Sequence, residues 1–298
     1  MADFSEKFNI YFSAFEDYLN ESFTADNMKV GSEGAAEMFE AMDYSLRNGG
    51  KRIRPVLVLA FCEACGGDYK EALPFALGAE MIHTYSLIHD DLPCMDNDDM
   101  RRGKPSNHKV FGYPQALLAG DGLLTLAFEI FSSCSLSAEK RIEGVKILAE
   151  SAGFRGMIAG QAMDMKNESG NPSFDTVKKT DALKTGELIK AASLLGCVAA
   201  GADEEQKEAA REYSLKVGLA FQILDDILDV TSASEDLGKP AGSDIRNDKV
   251  TYVSLLGVDG ARSLARSLTD EAVKALDVFD NKGGFLKQLA LNLADRKK

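Results

Sequence analysis

The sequence predicts an all-α fold, a single large helical bundle. Three observations carry this. Apolar residues recur at three- and four-residue spacing through most of the 298 positions, segments of alternating polarity are absent, and turn residues fall where helices would end. A 45% hydrophobic content supplies a sizeable core. No Pro-, Gly- or Ser-rich linker interrupts it, so residues 1–298 read as one domain.

The elements follow in order. Phe4, Phe8, Tyr11, Phe12, Phe15 and Leu19 form the apolar stripe of a first helix, and Met38, Met42 and Leu46 that of a second. Residues 54–65, 71–91, 114–133, 139–152, 174–199 and 204–230 repeat the pattern. Pro55 suits the first turn of its helix. Breaks fall at Gly66-Gly67-Asp68, Gly103 to Asn107, Asn167 to Pro172, and 231–249. The stretches 75–90 and 213–230 are apolar nearly all round, as befits helices at the centre of a bundle.

Composition excludes some functions. A net charge of −13 is the wrong sign for a nucleic-acid binder. The N-terminus lacks a basic-then-apolar signal, and no uninterrupted apolar run approaches the roughly 20 residues that span a bilayer. The expectation is a cytoplasmic chain with no membrane partner. Five cysteines include a Cys62–Cys65 pair with CxxC spacing, but no second pair completes a zinc site, so all read as reduced thiols.

The chemistry lies where the two central helices turn acidic. Asp90, Asp91 and Asp96 close the first; Asp225, Asp226 and Asp229 lie near the end of the second. Carboxylates this crowded resist burial unless cations neutralise them. Mg²⁺ is suited to this because it bridges one or two carboxylates to a substrate phosphate. Gln222, Asp225, Asp226 and Asp229 are related by steps of three and four, hence one stripe of one helix, and with the first cluster they suggest two walls of one site. Pro93 ends the first helix near Asp91, so Asp96 must return on the following turn. Asp98 and Asp99 read as solvated.

Basic groups surround these acids: Lys51, Arg52 and Arg54; Arg101 and Arg102; Lys239; and Lys249. Arg forks onto diphosphate oxygens and Lys supplies a point charge. His83 precedes Asp90 by two helical turns on the same face, whereas His89 and His108 read as structural or as supports behind the site. No Ser/His/Asp or Cys nucleophile is arranged for covalent catalysis.

Together these residues resemble the trans-isoprenyl diphosphate synthases, and among them the bacterial farnesyl diphosphate synthases. The motifs are Gly49 to Pro55; Glu80 to Asp91 through Arg101-Arg102-Gly103-Lys104-Pro105; Ala119-Gly120-Asp121; Gly160-Gln161 with Asp164; Lys184-Thr185-Gly186; Gln222 to Asp229; and Gly238-Lys239-Pro240 to Lys249. The resemblance implies the isoprenoid synthase type of bundle with a central active-site cavity, a homodimer (with the apolar helix near 114–133 as its candidate interface), and three Mg²⁺ per active site. It implies Asp90, Asp96 and Asp225 as metal ligands, with Asp91, Asp226 and Asp229 ligating directly or through water. Arg101, Lys184, Thr185, Gln222 and Lys239 would contact the allylic diphosphate; Lys51, Arg54, His83 and Arg102 would hold isopentenyl diphosphate. The activity implied is head-to-tail condensation of isopentenyl diphosphate with dimethylallyl or geranyl diphosphate. Tyr85 and Ser86, just before Asp90, would set chain length, and an aromatic at Tyr85 is similar to enzymes that stop at fifteen carbons. Ten- and twenty-carbon products are the alternatives. A terpene cyclase would need no second diphosphate shelf, and a non-catalytic subunit would typically lose one Asp cluster. The end Asp295-Arg296-Lys297-Lys298 resembles basic tails that cap the site in some relatives.

Overall fold

The computed structural model describes residues 3–167, 170–231 and 250–295. Lys239, Lys249 and the last three residues of the basic tail lie outside the described residues.

Helix α1 (Phe4–Ser22) inserts Tyr11, Phe15 and Leu19 into the core. Helix α2 (Glu33–Leu46) starts at Ser32, whose Oγ accepts the Ala35 N–H at 3.2 Å and so satisfies one orphan donor of the first turn. Helix α3 (Ile53–Ala64) is buried along almost its whole length. A 3₁₀ turn (Tyr69–Ala72) feeds α4 (Leu73–Asp90), which carries Pro74 in its first turn and buries residues on every side.

A two-residue antiparallel ladder follows, β1 (Met100–Arg101) with β2 (Lys104–Pro105). Arg102 and Gly103 form its turn with φ of 52° and 77°. Positive φ at both central positions is the pattern of a tight type I′ hairpin. Then come α5 (Asn107–Phe111), α6 (Tyr113–Ser133), α7 (Ala138–Ala152), α8 (Met157–Asn167) and α9 (Phe174–Asp181). A π turn (Ala182–Gly186) joins α9 to α10 (Glu187–Ala200), and α11 (Glu204–Thr231) follows. The chain ends with α12 (Tyr252–Ala275), a 3₁₀ segment (Leu276–Gly283) and α13 (Gly284–Ala294).

α4 packs on α6 and α3, α3 on α10, α10 on α11 and α7, and α11 on α12. One large apolar core runs through α1, α3, α4, α6, α10 and the first half of α11. A smaller one, around Ile223, Ile227 and Tyr252, joins α9, α11 and α12.

The all-α expectation holds, with three corrections. The predicted helix 174–199 is two helices, because the π turn at 182–186 shifts the register. Residues 100–105, which run into the predicted break at Gly103 to Asn107, form the hairpin. Helices α8, α12 and α13 do not stand out in the apolar pattern. The buried face of α12 consists largely of Ala261, Ala265 and Ala272, which give a weak apolar signal. By length and composition alone, α6 would reach across a bilayer, although Asp121 and Glu129 interrupt its apolar run. It packs here against α4 and carries Asp121 and Glu129 on its exposed side.

All five cysteines are free thiols. Cys65, which caps the C-terminus of α3, and Cys197 on α10 touch, Sγ to Sγ at 3.7 Å.

Candidate active site

A cavity of about 570 Å³ opens between α4, α6, α8 and the π turn. Asp90, Asp121, Gln161, Lys184 and Thr185 supply its polar groups, with Arg54 and His83 on the shelf beside them. Leu117, Leu124, Met157, Ile158, Met165 and Leu188 supply apolar wall, and Tyr85 and Ser86 lie along α4. A larger cleft of about 890 Å³ lies between α1, α3 and α13, but none of the predicted site residues lines it.

The first acid cluster divides by role. Asp90 ends α4, and the Asp96 N–H donates to the Asp90 carbonyl at 2.9 Å, so the turn after Pro93 brings the third acid back beside the first. Burial, aided by Asp96 and Asp91 and opposed by Lys184 and Arg101, pushes the Asp90 carboxyl up to about 6. Asp91 points elsewhere. It is buried and paired with Arg101, whose Nε donates to both carboxylate oxygens at 2.9 and 3.2 Å and whose Nη2 makes a further contact. Arg101 and Asp91 thus line a separate small recess with Arg102, outside the large cavity.

The second cluster borders a different space. Gln222 and Asp226 line a recess of about 30 Å³ with Asp164, Thr180 and Asp181, not the large cavity. Asp226 is buried; it accepts the Tyr252 N–H at 3.0 Å, tying α11 to the first turn of α12, and the Gln222 amide at 3.3 Å. Asp229 is buried and Asp225 half-buried on the same helix. Spacing puts these groups on one stripe, but it does not say what each faces. Lys184 joins the two regions: its Nζ donates to Asp164 Oδ2 at 2.7 Å, so one end of this pair lines the large cavity and the other the recess.

Gly160 makes this arrangement possible. A Cβ there would stand 2.2 Å from the Lys184 backbone nitrogen and 2.6 Å from its Cα. Only glycine lets α8 lie directly on the π turn that presents Lys184 and Thr185.

The cationic shelf is built by three elements. Arg102, at the hairpin tip, donates to the Gly49 carbonyl at 2.7 Å and approaches His83 Nε2 at 3.4 Å. Burial, opposed by Glu80 and reinforced by Arg102, lowers Arg54 to about 10. Burial and the neighbouring Arg54 and Arg102 hold His83 well below its ordinary range, so its ring is uncharged at neutral pH. Lys51 is exposed just before α3. Excess positive charge on a partly buried shelf calls for an anion.

Sequence reasoning passes over the part Arg52 plays. It is the buried anchor of this region, with Nε on Glu16 at 2.7 Å, Nη1 on buried Glu80 at 2.9 Å and Nη2 on the Leu46 carbonyl at 2.9 Å. The signal in the sequence is Glu80, a lone acid in an apolar helix that has to find a cation.

Among the described residues, no three of His, Cys, Asp and Glu converge closely enough to hold a metal by themselves. The donors at the cavity are hard oxygens, and the Asp90 carboxyl is pressed by burial and by the neighbouring Asp96 and Asp91. That set fits Mg²⁺, which takes a few carboxylates and completes its shell with water and substrate phosphate.

Residues 35–280 match the polyprenyl synthetase family model. The chain belongs to the polyprenyl synthetase family. It is 48% identical over 264 residues to geranylgeranyl pyrophosphate synthase 9, chloroplastic, of Arabidopsis thaliana, covering 86% of this chain and 73% of that one. The apo crystal structure of an FPP/GFPP synthase from Zymomonas mobilis superposes with a TM-score of 0.86 at 35% identity, covering 98% and 100% of the two chains. A geranyltransferase from Helicobacter pylori, solved with magnesium and isoprenyl diphosphate, gives 0.84 at 35% identity over 99% and 97%. This polyprenyl synthetase is therefore a prenyltransferase, and magnesium use is a property of its family.

Proposed function

We propose that this chain condenses isopentenyl diphosphate with dimethylallyl or geranyl diphosphate and releases farnesyl diphosphate. One observation supports this most directly: a single cavity joins a charged end at Asp90, Lys184 and Thr185 to an apolar wall on which Tyr85 lies. The charged end suits the diphosphate and the apolar wall the growing chain. Tyr85 lies five residues before Asp90 and is 5% exposed, as an end wall should be.

In this reading Lys184, Thr185 and Gln161 hold the allylic diphosphate. Asp90 and Asp96 on one side and Asp225 on the other would hold magnesium, three ions per site. Bound magnesium would supply Lewis acidity that neutralises charge developing on the departing diphosphate. Asp91 and Asp226 act by fixing Arg101 and the start of α12, and Asp229, with Lys239 beyond the described residues, completes the second wall. Lys51, Arg54 and Arg102 hold isopentenyl diphosphate, and uncharged His83 donates a hydrogen bond rather than a charge. The apolar walls keep water from the allylic cation. The double bond of isopentenyl diphosphate attacks that cation, and the released diphosphate takes the proton lost in closing the new double bond.

A twenty-carbon product is the second reading, favoured by the 48% identity to a protein named geranylgeranyl pyrophosphate synthase. Product chromatography on the purified chain separates the two. Fifteen carbons from the native chain and longer products from Tyr85→Ala support the first reading; twenty carbons from the native chain refute it. We also propose a homodimer through α6, where Tyr113, Leu117 and Leu118 are exposed.

A further inference from the structure

Tyr85 is buried against the cavity, yet its hydroxyl has no hydrogen-bond partner. No polar contact fixes its phenol; ring packing must. Its aromatic neighbour is His89, one turn later on α4, with ring centroids 5.7 Å apart and planes at 85°. That edge-to-face geometry is the favoured one for two rings.

His89 is itself anchored, and not by α4. Its Nε2 lies 2.9 Å from the Leu117 carbonyl oxygen on α6. A carbonyl can only accept, so Nε2 carries the proton. Asp121 Oδ1 stands 3.9 Å from the same nitrogen. The imidazole occupies the space over Gly120, where a Cβ would come within 2.1 Å of Nε2. Any side chain at 120 would displace the ring. His89 and Tyr85 both line the cavity, so the two rings form one continuous piece of its wall.

We propose that His89 is a positioning residue for product length. Pinned to α6 through the Leu117 carbonyl and Gly120, it holds the Tyr85 ring across the path of the growing chain. The inference rests on the reading of Tyr85 as the end wall. Without His89 the phenol, which has no hydrogen bond of its own, can turn aside. The chain then gains room for a further five-carbon unit while the diphosphate end of the cavity is untouched. Gly120, already part of a sequence motif, gains a physical reason to be glycine, since it forms the socket for the imidazole.

The test is the product distribution of purified variants given geranyl diphosphate, excess isopentenyl diphosphate and Mg²⁺, read by mass spectrometry. His89→Ala should raise the ratio of the next longer product to the native product roughly 2- to 10-fold, the range of one aromatic pair. His89→Phe, which keeps an edge-to-face ring and loses the hydrogen bond, should stay nearer the native ratio than His89→Ala does. Tyr85→Ala combined with His89→Ala should make products no longer than Tyr85→Ala alone. If His89→Ala does not fold, His89→Gln replaces it, keeping an N–H and losing the ring, and the same lengthening is expected. A native ratio in the His89 variant beside longer products from Tyr85→Ala would overturn the role of His89 and leave Tyr85 as the end wall. Native products from Tyr85→Ala as well would overturn the end wall itself. Lengthening in His89→Phe equal to that in His89→Ala would also overturn the proposal, since the ring contact would then hold nothing.

Discussion

Removing the Arg52 side chain should cost more stability than any other single change on the cationic shelf. Arg52 is 3% exposed and Glu80 1% exposed. Arg52→Ala deletes three hydrogen bonds, to Glu16, Glu80 and Leu46, and leaves the Glu80 carboxylate buried without its cation. Breaking one side of a buried pair costs about 3–5 kcal/mol. In a chain of this size that is a fall in melting temperature of roughly 5–15 °C. Arg52 also has φ of 49°, a strained value for a side-chain-bearing residue, so part of the loss would be offset by Arg52→Gly at the same site. Much of the penalty belongs to the stranded acid rather than to the pair. The double change Arg52→Met with Glu80→Leu should therefore recover most of it. Thermal melting followed by circular dichroism reads all three. A fall below about 2 °C for Arg52→Ala, or a double variant less stable than Arg52→Ala, would show that Arg52 does not anchor the shelf through Glu80.

Other predictions follow from the same geometry. Folding raises the Asp90 carboxyl from 3.8 to about 6, so the ionised form is the disfavoured one in the folded chain. Stability is then lost as pH rises from about 4 to 6 and stays lost above that. Without Mg²⁺, Asp90→Asn should melt higher than the native chain at pH 8 and close to it at pH 4; an equal gap at both would show that titration is not the cause. Gly160→Ala should push the Lys184 backbone off α8 and lower kcat/KM for geranyl diphosphate about 100-fold, the scale of a 1 Å misplacement. A loss under threefold would mean the π turn is free to shift. Tyr85→Ala should lengthen the product, as mass spectrometry would report, and an unchanged product would remove Tyr85 as the end wall.

The parts legible in the sequence are those fixed by local rules. Helical spacing gives the bundle, and Pro93 gives both the end of α4 and the return of Asp96, because each depends on neighbours in the chain. Spacing also puts Gln222, Asp225, Asp226 and Asp229 on one stripe. What lies opposite that stripe is not legible: the Tyr252 N–H takes an Asp226 oxygen from 26 positions away. Asp91 reads as a metal ligand and Arg101 as a substrate contact, and the hairpin turns the two toward each other. That hairpin rests on positive φ at Arg102, which residue type does not announce. His89 reads only as a structural or supporting residue because the role proposed for it depends on Gly120 and Leu117 of another helix.

We propose that the cavity and the cationic shelf beside it take two diphosphates and join them carbon to carbon when magnesium is bound. The direct measurement is incubation of the purified chain alone with labelled isopentenyl diphosphate and geranyl diphosphate, with Mg²⁺ and with chelator. Label should appear in a longer prenyl diphosphate with Mg²⁺, vanish with chelator and return when Mg²⁺ is restored. Label remaining in isopentenyl diphosphate in the presence of Mg²⁺, or geranyl diphosphate converted only to a cyclised or hydrolysed product, would contradict it.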